Sequence, residues 1–112
     1  MVKHNAAVLD GVFHALSHQA RRDMVHRLSR GHKTVGELAA PLQMSLAAAS
    51  KHVRVLEDAG LLRRTIRGRE HICSLSARRL AAADRWLRSY ERDWNQRLDN
   101  LEALFAPEEG QS

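Results

Sequence analysis

The chain has 112 residues, of which 44% are hydrophobic and 28% are charged. This length supports one compact domain and excludes a large enzyme architecture. No apolar run approaches the ~20 residues of a membrane-spanning helix, and residues 1–5 do not resemble the start of an export signal. The single cysteine, Cys73, cannot form an internal disulfide. We therefore expect a cytoplasmic protein with no membrane association.

The net charge is +5, from 18 Lys and Arg against 13 Asp and Glu. The excess is +3 in residues 1–44 and +3 in residues 45–75, whereas residues 76–112 carry −1. A basic excess confined to the first two thirds makes a polyanion the first partner to consider. The alternating signs of the last third are typical of a solvated helix face.

Two amphipathic helices are predicted first. Apolar residues follow a 3.6-residue period over residues 6–16 and again over residues 20–28. Gly31 follows the second segment and is suited to the positive φ that often ends a helix.

Two further helices are predicted beyond Gly31. Thr34 and Glu37 have the spacing of a capping box, which begins a short helix that runs to about Leu42. After a three-residue break, Ser45 stands at the N-cap position of a helix over residues 46–59. One face of that helix carries Ala49, Val53 and Leu56, and the other carries Leu46, Ala47, Ser50, Lys51 and Arg54.

A β-hairpin is predicted next. Residues 61–66 and 71–75 are β-prone runs on either side of a turn around Gly68. Four arginines cluster there: Arg63, Arg64, Arg67 and Arg69.

A long helix is predicted over residues 77–105, which contain neither Gly nor Pro. At ~1.5 Å per residue it would be ~43 Å long, longer than the rest of so small a domain is wide. An apolar stripe of this length usually packs on a second copy of itself. Residues 107–112 are expected to be disordered, so the domain is predicted to comprise residues 1–106.

The order of helix, three-residue turn, helix and Arg-rich hairpin resembles the ArsR/SmtB family of bacterial transcriptional repressors. Several linked motifs carry the resemblance, and they cover almost the whole chain: residues 10–16, 20–22, 35–39, 50–56 and 59–61, and the hairpin up to Leu75. The resemblance implies a mainly α winged helix-turn-helix with a small β-hairpin wing. It also implies a homodimer built on the first and last helices, with helix 46–59 in the major groove and the wing along the DNA backbone.

The residue types at these positions suit double-stranded DNA, since a helix in the major groove needs small residues, hydroxyls and cations on its outer face. All five aromatic residues lie outside residues 34–75, so no stacking platform for single strands is expected. The predicted DNA contacts are Ser45, Leu46, Ala47, Ser50, Lys51, His52 and Arg54 on the helix, and Arg63, Arg64, Arg67 and Arg69 on the wing.

One departure from the family concerns base reading. Family members often carry polar residues after the serine N-cap, whereas this chain has the apolar run 46–49. We therefore expect sparse direct readout, with Leu46 and Ala47 on thymine methyl groups and further selectivity from DNA shape.

The predicted dimer interface uses apolar residues of the first and last helices: Val8, Val12, Leu80, Leu87, Tyr90, Trp94, Leu98 and Leu101. A second interpretation of Trp86, Tyr90 and Trp94 is that they line a cavity for a small-molecule effector at the interface. Plain packing is the commoner role of such a stripe.

No metal cofactor is expected at the two usual sites of the family. Thr34 and Gly36 stand where the thiolate site has cysteines, and residues 77–112 contain no histidine. Cys73 alone cannot hold a transition metal, so strand packing is its expected role. The alternative is an atypical site, either His14 with His18 or an amino-terminal motif that ends at His4.

The sequence therefore predicts a dimeric repressor that occupies a pseudo-palindromic operator. The rival hypothesis is a helical protein-interaction module whose basic surface is incidental. An enzyme is disfavoured, because the sequence shows no paired carboxylates, no nucleophile with a base and no glycine loop for phosphate.

Overall fold

The computed structural model describes residues 2–105, with side chains from Ala6 onward, so the predicted disordered tail lies outside the described residues. Within this range the fold is mainly α with one small sheet, as the sequence predicts, and the end of the short helix predicted to reach Leu42 is a 3-10 turn over Ala40–Leu42. No helix in this range combines the length and the apolar composition needed to cross a membrane. The elements are α1 (Val2–Ala15), α2 (Gln19–Leu28), β1 (Lys33–Thr34), α3 (Val35–Ala39), α4 (Leu46–Asp58), β2 (Leu62–Arg67), β3 (Glu70–Leu75) and α5 (Arg78–Phe105).

The sheet has three antiparallel strands in the order β1-β3-β2. The sequence predicted β2 and β3 but missed β1, which pairs Lys33 with Cys73 and Thr34 with Ile72. Two residues are too few to show the period-2 alternation by which a strand is recognised. Because α3 follows β1 directly, the pairing of β1 with β3 connects the hairpin to the start of α3.

The wing consists of β2, β3 and the two-residue turn between them. Its last pair is Arg67 with Glu70, so the strands predicted over residues 61–66 and 71–75 each reach one residue closer to the turn than expected. Gly68 has φ +62° at the first position of the turn, where two-residue hairpins of type II′ require a positive φ.

The core forms where α1, α2, α3 and α4 meet the first residues of β2 and the middle of β3. Its fully buried side chains include Val12, Met24, Leu38, Leu56 and Cys73. Burial raises the pKa of the Cys73 thiol, in accord with the predicted packing role. Val12, in contrast, is predicted at the dimer interface, and the structure corrects this: its side chain has no exposed surface and packs inside the core of its own chain.

Arginine side chains bind the open carbonyl ends of three helices. At the end of α1, Arg21 Nε donates to the Ala15 carbonyl at 2.7 Å and Nη2 to the His14 carbonyl at 3.3 Å. Arg27 Nη1 donates to the Leu38 carbonyl of α3 at 3.0 Å. The cations neutralise the partial negative charge of these helix ends.

The end of α4 is also bound by an arginine side chain, and it requires a glycine. Arg79 Nη1 donates to the Ala59 carbonyl at 3.2 Å, next to Gly60, which has φ +78°. A Cβ at Gly60 would lie 2.5 Å from Arg79 Cδ, so both the backbone and the covering side chain favour glycine there.

Helix α5 extends away from the rest of the domain after its second turn. Ala83 is buried, but every residue from 84 to 105 is exposed. Among them are eight large apolar side chains: Trp86, Leu87, Tyr90, Trp94, Leu98, Leu101, Leu104 and Phe105.

Removing the buried guanidinium should destabilise the fold more than removing its exposed neighbour. Arg21 is 8% exposed, and Arg21→Ala would remove the Nε–H donor from the Ala15 carbonyl at the end of α1. We expect the free energy of unfolding to fall by about 2–3 kcal/mol, measured by urea denaturation at fixed protein concentration.

The matched control is Arg22→Ala, which removes the same charge and one exposed hydrogen bond, from Nη1 to the Leu16 carbonyl. A loss of about 1 kcal/mol or less is expected for this variant. Equal losses for the two variants would contradict the structural role of Arg21.

Candidate nucleic-acid interface

Helix α4 is held by its apolar back. Ala49, Val53 and Leu56 have no exposed surface, and their positions define the face that packs on the core. The helix begins at Ser45, whose Oγ accepts a hydrogen bond from the Ala48 N–H at 3.1 Å. The first turn of α4 is thereby capped, while the Ser45 O–H remains a donor toward solvent.

The opposite face of α4 is open to solvent. Leu46 is 60% exposed, Ala47, Lys51 and Arg54 are exposed, and Ser50 is half-buried. Small, hydroxyl and cationic side chains thus share one accessible helix face. Such a face can approach the edges of base pairs and the phosphates beside them.

His52 does not belong to that face, which corrects its prediction as an outward donor. Its Nδ1 lies 3.1 Å from Arg21 Nη1, and its ring centroid lies 4.6 Å from that of His18. Because a guanidinium can only donate, Nδ1 must accept, and the ring is neutral when this bond forms. Burial, and then the nearby His18 and Arg21, lower the pKa of His52.

A cleft of about 450 Å³ separates α4 from the wing. Leu46 and Ser50 line it on the helix side, so Leu46 faces the wing as well as solvent. The complete lining is Thr34, Val35, Gly36, Leu46, Ser50, Arg64, Arg69, Glu70 and His71.

The four wing arginines do not form one cluster, because alternate residues of a strand point to opposite faces. Arg69 is exposed at the turn and lines the cleft. Arg64 also lines it but forms an ion pair, with Nη2 3.1 Å from Glu57 Oε1, and its side chain is 19% exposed. Arg67 is exposed on the other face, beside Thr65.

Arg63 is exposed near the base of the wing, where it shares a shallow depression with Arg78 and Arg79. The ion pair of Arg64 could not be predicted from the sequence, because Glu57 belongs to a different element. Of the four predicted contacts, Arg63, Arg67 and Arg69 therefore keep exposed guanidinium groups.

The predicted capping box at the start of α3 is present. The Glu37 N–H donates to Thr34 Oγ1 at 3.1 Å, and the Thr34 N–H donates to Glu37 Oε1 at 2.9 Å. The second bond, to the backbone of Thr34, is the largest cause of the lowered pKa of Glu37. The cap fixes the start of the first helix of the helix-turn-helix.

Residues 6–105 contain no group of three or more His, Cys, Asp or Glu side chains placed to hold a metal ion. Of the alternative pair, His18 caps α2, since its Nδ1 accepts from the Ala20 N–H at 3.0 Å. Only its Nε2 is left for a ligand. The side chain of His4 lies outside the part of the chain that the structure describes.

A groove of about 310 Å³ lies between α1 and α5, lined by Val8, Leu9, Ala82, Arg85 and Trp86. Trp86 also packs edge-on against Phe13 and stacks on Tyr90, with centroid separations of 5.7 and 5.8 Å. Of the three aromatic residues considered for an effector cavity, Trp86 lines this groove and Tyr90 and Trp94 do not.

Comparisons with known proteins agree with this geometry. Residues 16–65 match the model of a helix-turn-helix domain family. The chain is 34% identical over 99 residues to the HTH-type transcriptional regulator Rv2034 of Mycobacterium tuberculosis, and the match covers 88% of this chain and 90% of that protein.

Two solved structures share the fold. One is an ArsR family transcriptional regulator, 38% identical, with a TM-score of 0.75 over 80% of this chain and 93% of its own. The other is a homodimeric winged helix-turn-helix DNA-binding domain, Mb0332, from Mycobacterium bovis. It is 22% identical, with a TM-score of 0.59 over 85% of this chain and 88% of its own.

A capped, outward-facing α4 beside a β-hairpin wing defines a helix-turn-helix transcriptional regulator. Within that class, the chain belongs to the ArsR family, as the sequence motifs predicted.

The half-buried position of His52 beside Arg21 should make stability depend on pH. The fold lowers the pKa of His52, so the neutral ring contributes stability above the unfolded-state pKa of about 6.5. This contribution is lost as the pH falls through the lower pKa of the folded state. Between about pH 8 and about pH 5, urea denaturation should show a larger loss for the wild type than for His52→Gln, whose amide oxygen can still accept from Arg21.

The control is His26→Gln, which changes an exposed histidine of α2. This variant should keep the pH dependence of the wild type. An unchanged pH dependence in His52→Gln would show that the contact with Arg21 does not control the titration.

Proposed function

We propose that two copies of this chain bind one duplex at a pseudo-palindromic operator and repress transcription by occupying promoter DNA. One observation carries the proposal: α4 buries a fully apolar back while its opposite face, with Lys51 and Arg54, stays open beside an arginine-bearing wing. A helix whose apolar face is packed on the core can enter a major groove while its orientation relative to the domain stays fixed.

The roles of the contacts follow from their chemistry. Lys51, Arg54 and Arg69 are exposed cations that suit phosphates, and therefore set affinity. Ser45 and Ser50 supply hydroxyls at the start of α4 and along its face. Leu46 and Ala47 are the apolar residues nearest the N-cap and suit thymine methyl groups, so the sequence preference is expected to be modest.

A homodimer is proposed from the exposed stripe of α5. Leu87, Tyr90, Trp94, Leu98 and Leu101 are each 41–62% exposed and recur every three or four residues along one face. A stripe of this size on a charged helix marks an interface. Leu80 and Val8 are half-buried where α1 meets α5 and would extend the interface toward the body. The similar domain from Mycobacterium bovis is described as homodimeric.

Two-fold symmetry relates the proposed dimer to its operator. Each protomer offers one α4, so half-sites should lie about 10 base pairs apart, or a multiple of that. A single domain over residues 1–106, acting in the cytoplasm on DNA and not as an enzyme, fits this function. A small-molecule effector would bind in the groove beside Trp86, where α1 meets the proposed interface.

Removing a cation from the open face of α4 should weaken DNA binding and flatten its salt dependence. For Lys51→Ala or Arg54→Ala, the slope of log affinity against log salt should fall by about 1, since each phosphate contact contributes about 0.9. A mobility shift on duplex promoter fragments across a salt titration measures both quantities.

The charge-matched control is Arg92→Ala, which removes an exposed cation from the polar face of α5. Its slope should equal that of the wild type. If Lys51→Ala, Arg54→Ala and Arg92→Ala all reduce binding equally, the basic surface acts only through net charge, as the rival protein-interaction hypothesis requires.

A charge within the apolar stripe should dissociate the dimer. Leu98→Glu places a carboxylate where an apolar contact is proposed, and should give a monomer at micromolar concentration by sedimentation equilibrium, with at least a tenfold loss of duplex affinity because only one α4 then binds. Gln96→Glu adds the same charge on the opposite side of α5 and should stay dimeric. A dimeric Leu98→Glu would exclude this interface.

A further inference from the structure

A depression of about 390 Å³ lies where the end of α4, the start of β2 and the start of α5 meet. We call it the basal depression, and its lining is Glu57, Gly60, Leu62, Arg63, Arg64, Ser76, Arg78 and Arg79. Ser50 lines the cleft beside the start of α4, and seven residues of helix separate it from Glu57, a rise of about 10 Å. None of the residues proposed above to contact DNA lines the basal depression.

The basal depression concentrates positive charge. Four guanidinium groups and one carboxylate line it, so its net charge is +3. Glu57 neutralises Arg64, since their side chains are 3.1 Å apart. Arg63, Arg78 and Arg79 are exposed, and no carboxylate of the described residues lies within 4 Å of them. The first turn of α5 contains no acidic residue either. Three like charges therefore share one depression, and an anion would relieve their repulsion.

Two of the polar groups are held in place before any ligand binds. Arg79 Nη1 donates to the Ala59 carbonyl at 3.2 Å, and its side chain occupies the space that a Cβ at Gly60 would need. Ser76 is fixed through its backbone N–H, which donates to the Leu61 carbonyl at 2.9 Å. Donors that are already positioned lose less entropy when a ligand binds.

The lining indicates the chemical class of the ligand. Guanidinium groups bind phosphate oxygens through paired hydrogen bonds. Small-molecule pockets measure about 300–1,000 Å³, so the volume suits a compact ligand. The only large apolar side chain in the lining is Leu62, which is buried. Charge, and not stacking or apolar contact, must therefore supply the affinity, and two linked phosphate groups match three guanidinium groups better than one phosphate does.

We propose that the basal depression binds a small polyanion that carries two linked phosphate groups. Arg63 and Arg78 bind its oxygens, Ser76 Oγ donates a further hydrogen bond, and Arg79 adds its charge. The ligand lies against the end of α4, the base of the wing and the start of α5. It therefore connects the proposed DNA-binding helix to the helix of the proposed dimer interface, at a site separate from both the DNA contacts and the groove beside Trp86.

Calorimetric titration of the full-length chain with sodium pyrophosphate, at constant ionic strength, tests the site. The wild type should bind one pyrophosphate per chain. A double variant, Arg63→Gln with Arg78→Gln, should weaken binding at least about tenfold, because two charged hydrogen-bond donors are lost. Both side chains are exposed, so the double variant is expected to fold, which thermal unfolding verifies.

The matched control combines Arg30→Gln with Arg92→Gln, which removes two exposed arginines outside the basal depression. Its affinity for pyrophosphate should stay within about twofold of the wild type, since distant surface charges are screened by salt. Equal losses in the two double variants would show that binding follows net charge alone and would overturn the proposal. A wild type without saturable binding would overturn it too.

Amide chemical shifts of the ¹⁵N-labelled wild type locate the ligand and do not depend on any variant. With pyrophosphate, the largest shifts should fall at Gly60, Arg63, Ser76 and Arg78. The largest shifts at Lys51 would instead place the anion on the open face of α4 and overturn the proposal. Shifts at the basal depression with a DNA duplex but not with pyrophosphate would also overturn it, because this surface would then belong to the DNA interface. The proposed function stands or falls separately, on duplex binding by α4.

Discussion

The guanidinium of Arg21 is buried where three helices meet, and its hydrogen bonds connect α4 to the end of α1. Burying a charge is costly unless its donors are satisfied. Here Nε and Nη2 bind carbonyls at the end of α1, and Nη1 binds His52 of α4. Helix α1 also packs on α5 through Phe13 and Trp86. One side chain of α2 therefore connects α4, the proposed DNA-binding helix, to α1, which contacts α5.

The basic side chains of the protein have three different roles. Arg21, Arg27 and Arg79 bind carbonyls at helix ends, and Arg64 forms an ion pair with Glu57. Only the remaining exposed cations are available to a polyanion. The +3 excess of residues 1–44 thus overstates how much of that segment serves DNA, because counting charge does not distinguish a structural arginine from an accessible one.

The regular elements could be predicted because their signals are local. The capping box of Thr34 and the turn at Gly68 each depend on residues within four positions of one another. The predictions were wrong where the environment of a residue depends on an element distant in the sequence. Val12 lies on the apolar stripe of α1, but periodicity does not say whether its own core or a second copy covers it. His52 lies on α4 where a surface residue was expected, and Arg21 draws it inward.

A local signal for Arg21 did exist. It lies three and seven residues before Met24 and Leu28, on the face of α2 that is buried. A charged residue at the spacing of the apolar ones can be a buried, hydrogen-bonded group. It need not interrupt the apolar face. The sequence does not show which carbonyls accept hydrogen bonds from Arg21, since these carbonyls belong to the preceding helix.

The outer part of α5 has a thermodynamic consequence for the protein as a whole. Between residues 84 and 105 the helix has its own backbone hydrogen bonds, one ion pair between Arg88 and Asp84, and two ring contacts of Trp86, with Phe13 and with Tyr90. Helical segments without tertiary support are marginal in water. The surface that covers the stripe therefore also supplies the free energy that keeps these turns helical. Ordering of the carboxyl-terminal segment is then coupled to association, so both depend on protein concentration. Dilution would then unwind this segment before it unfolds the body.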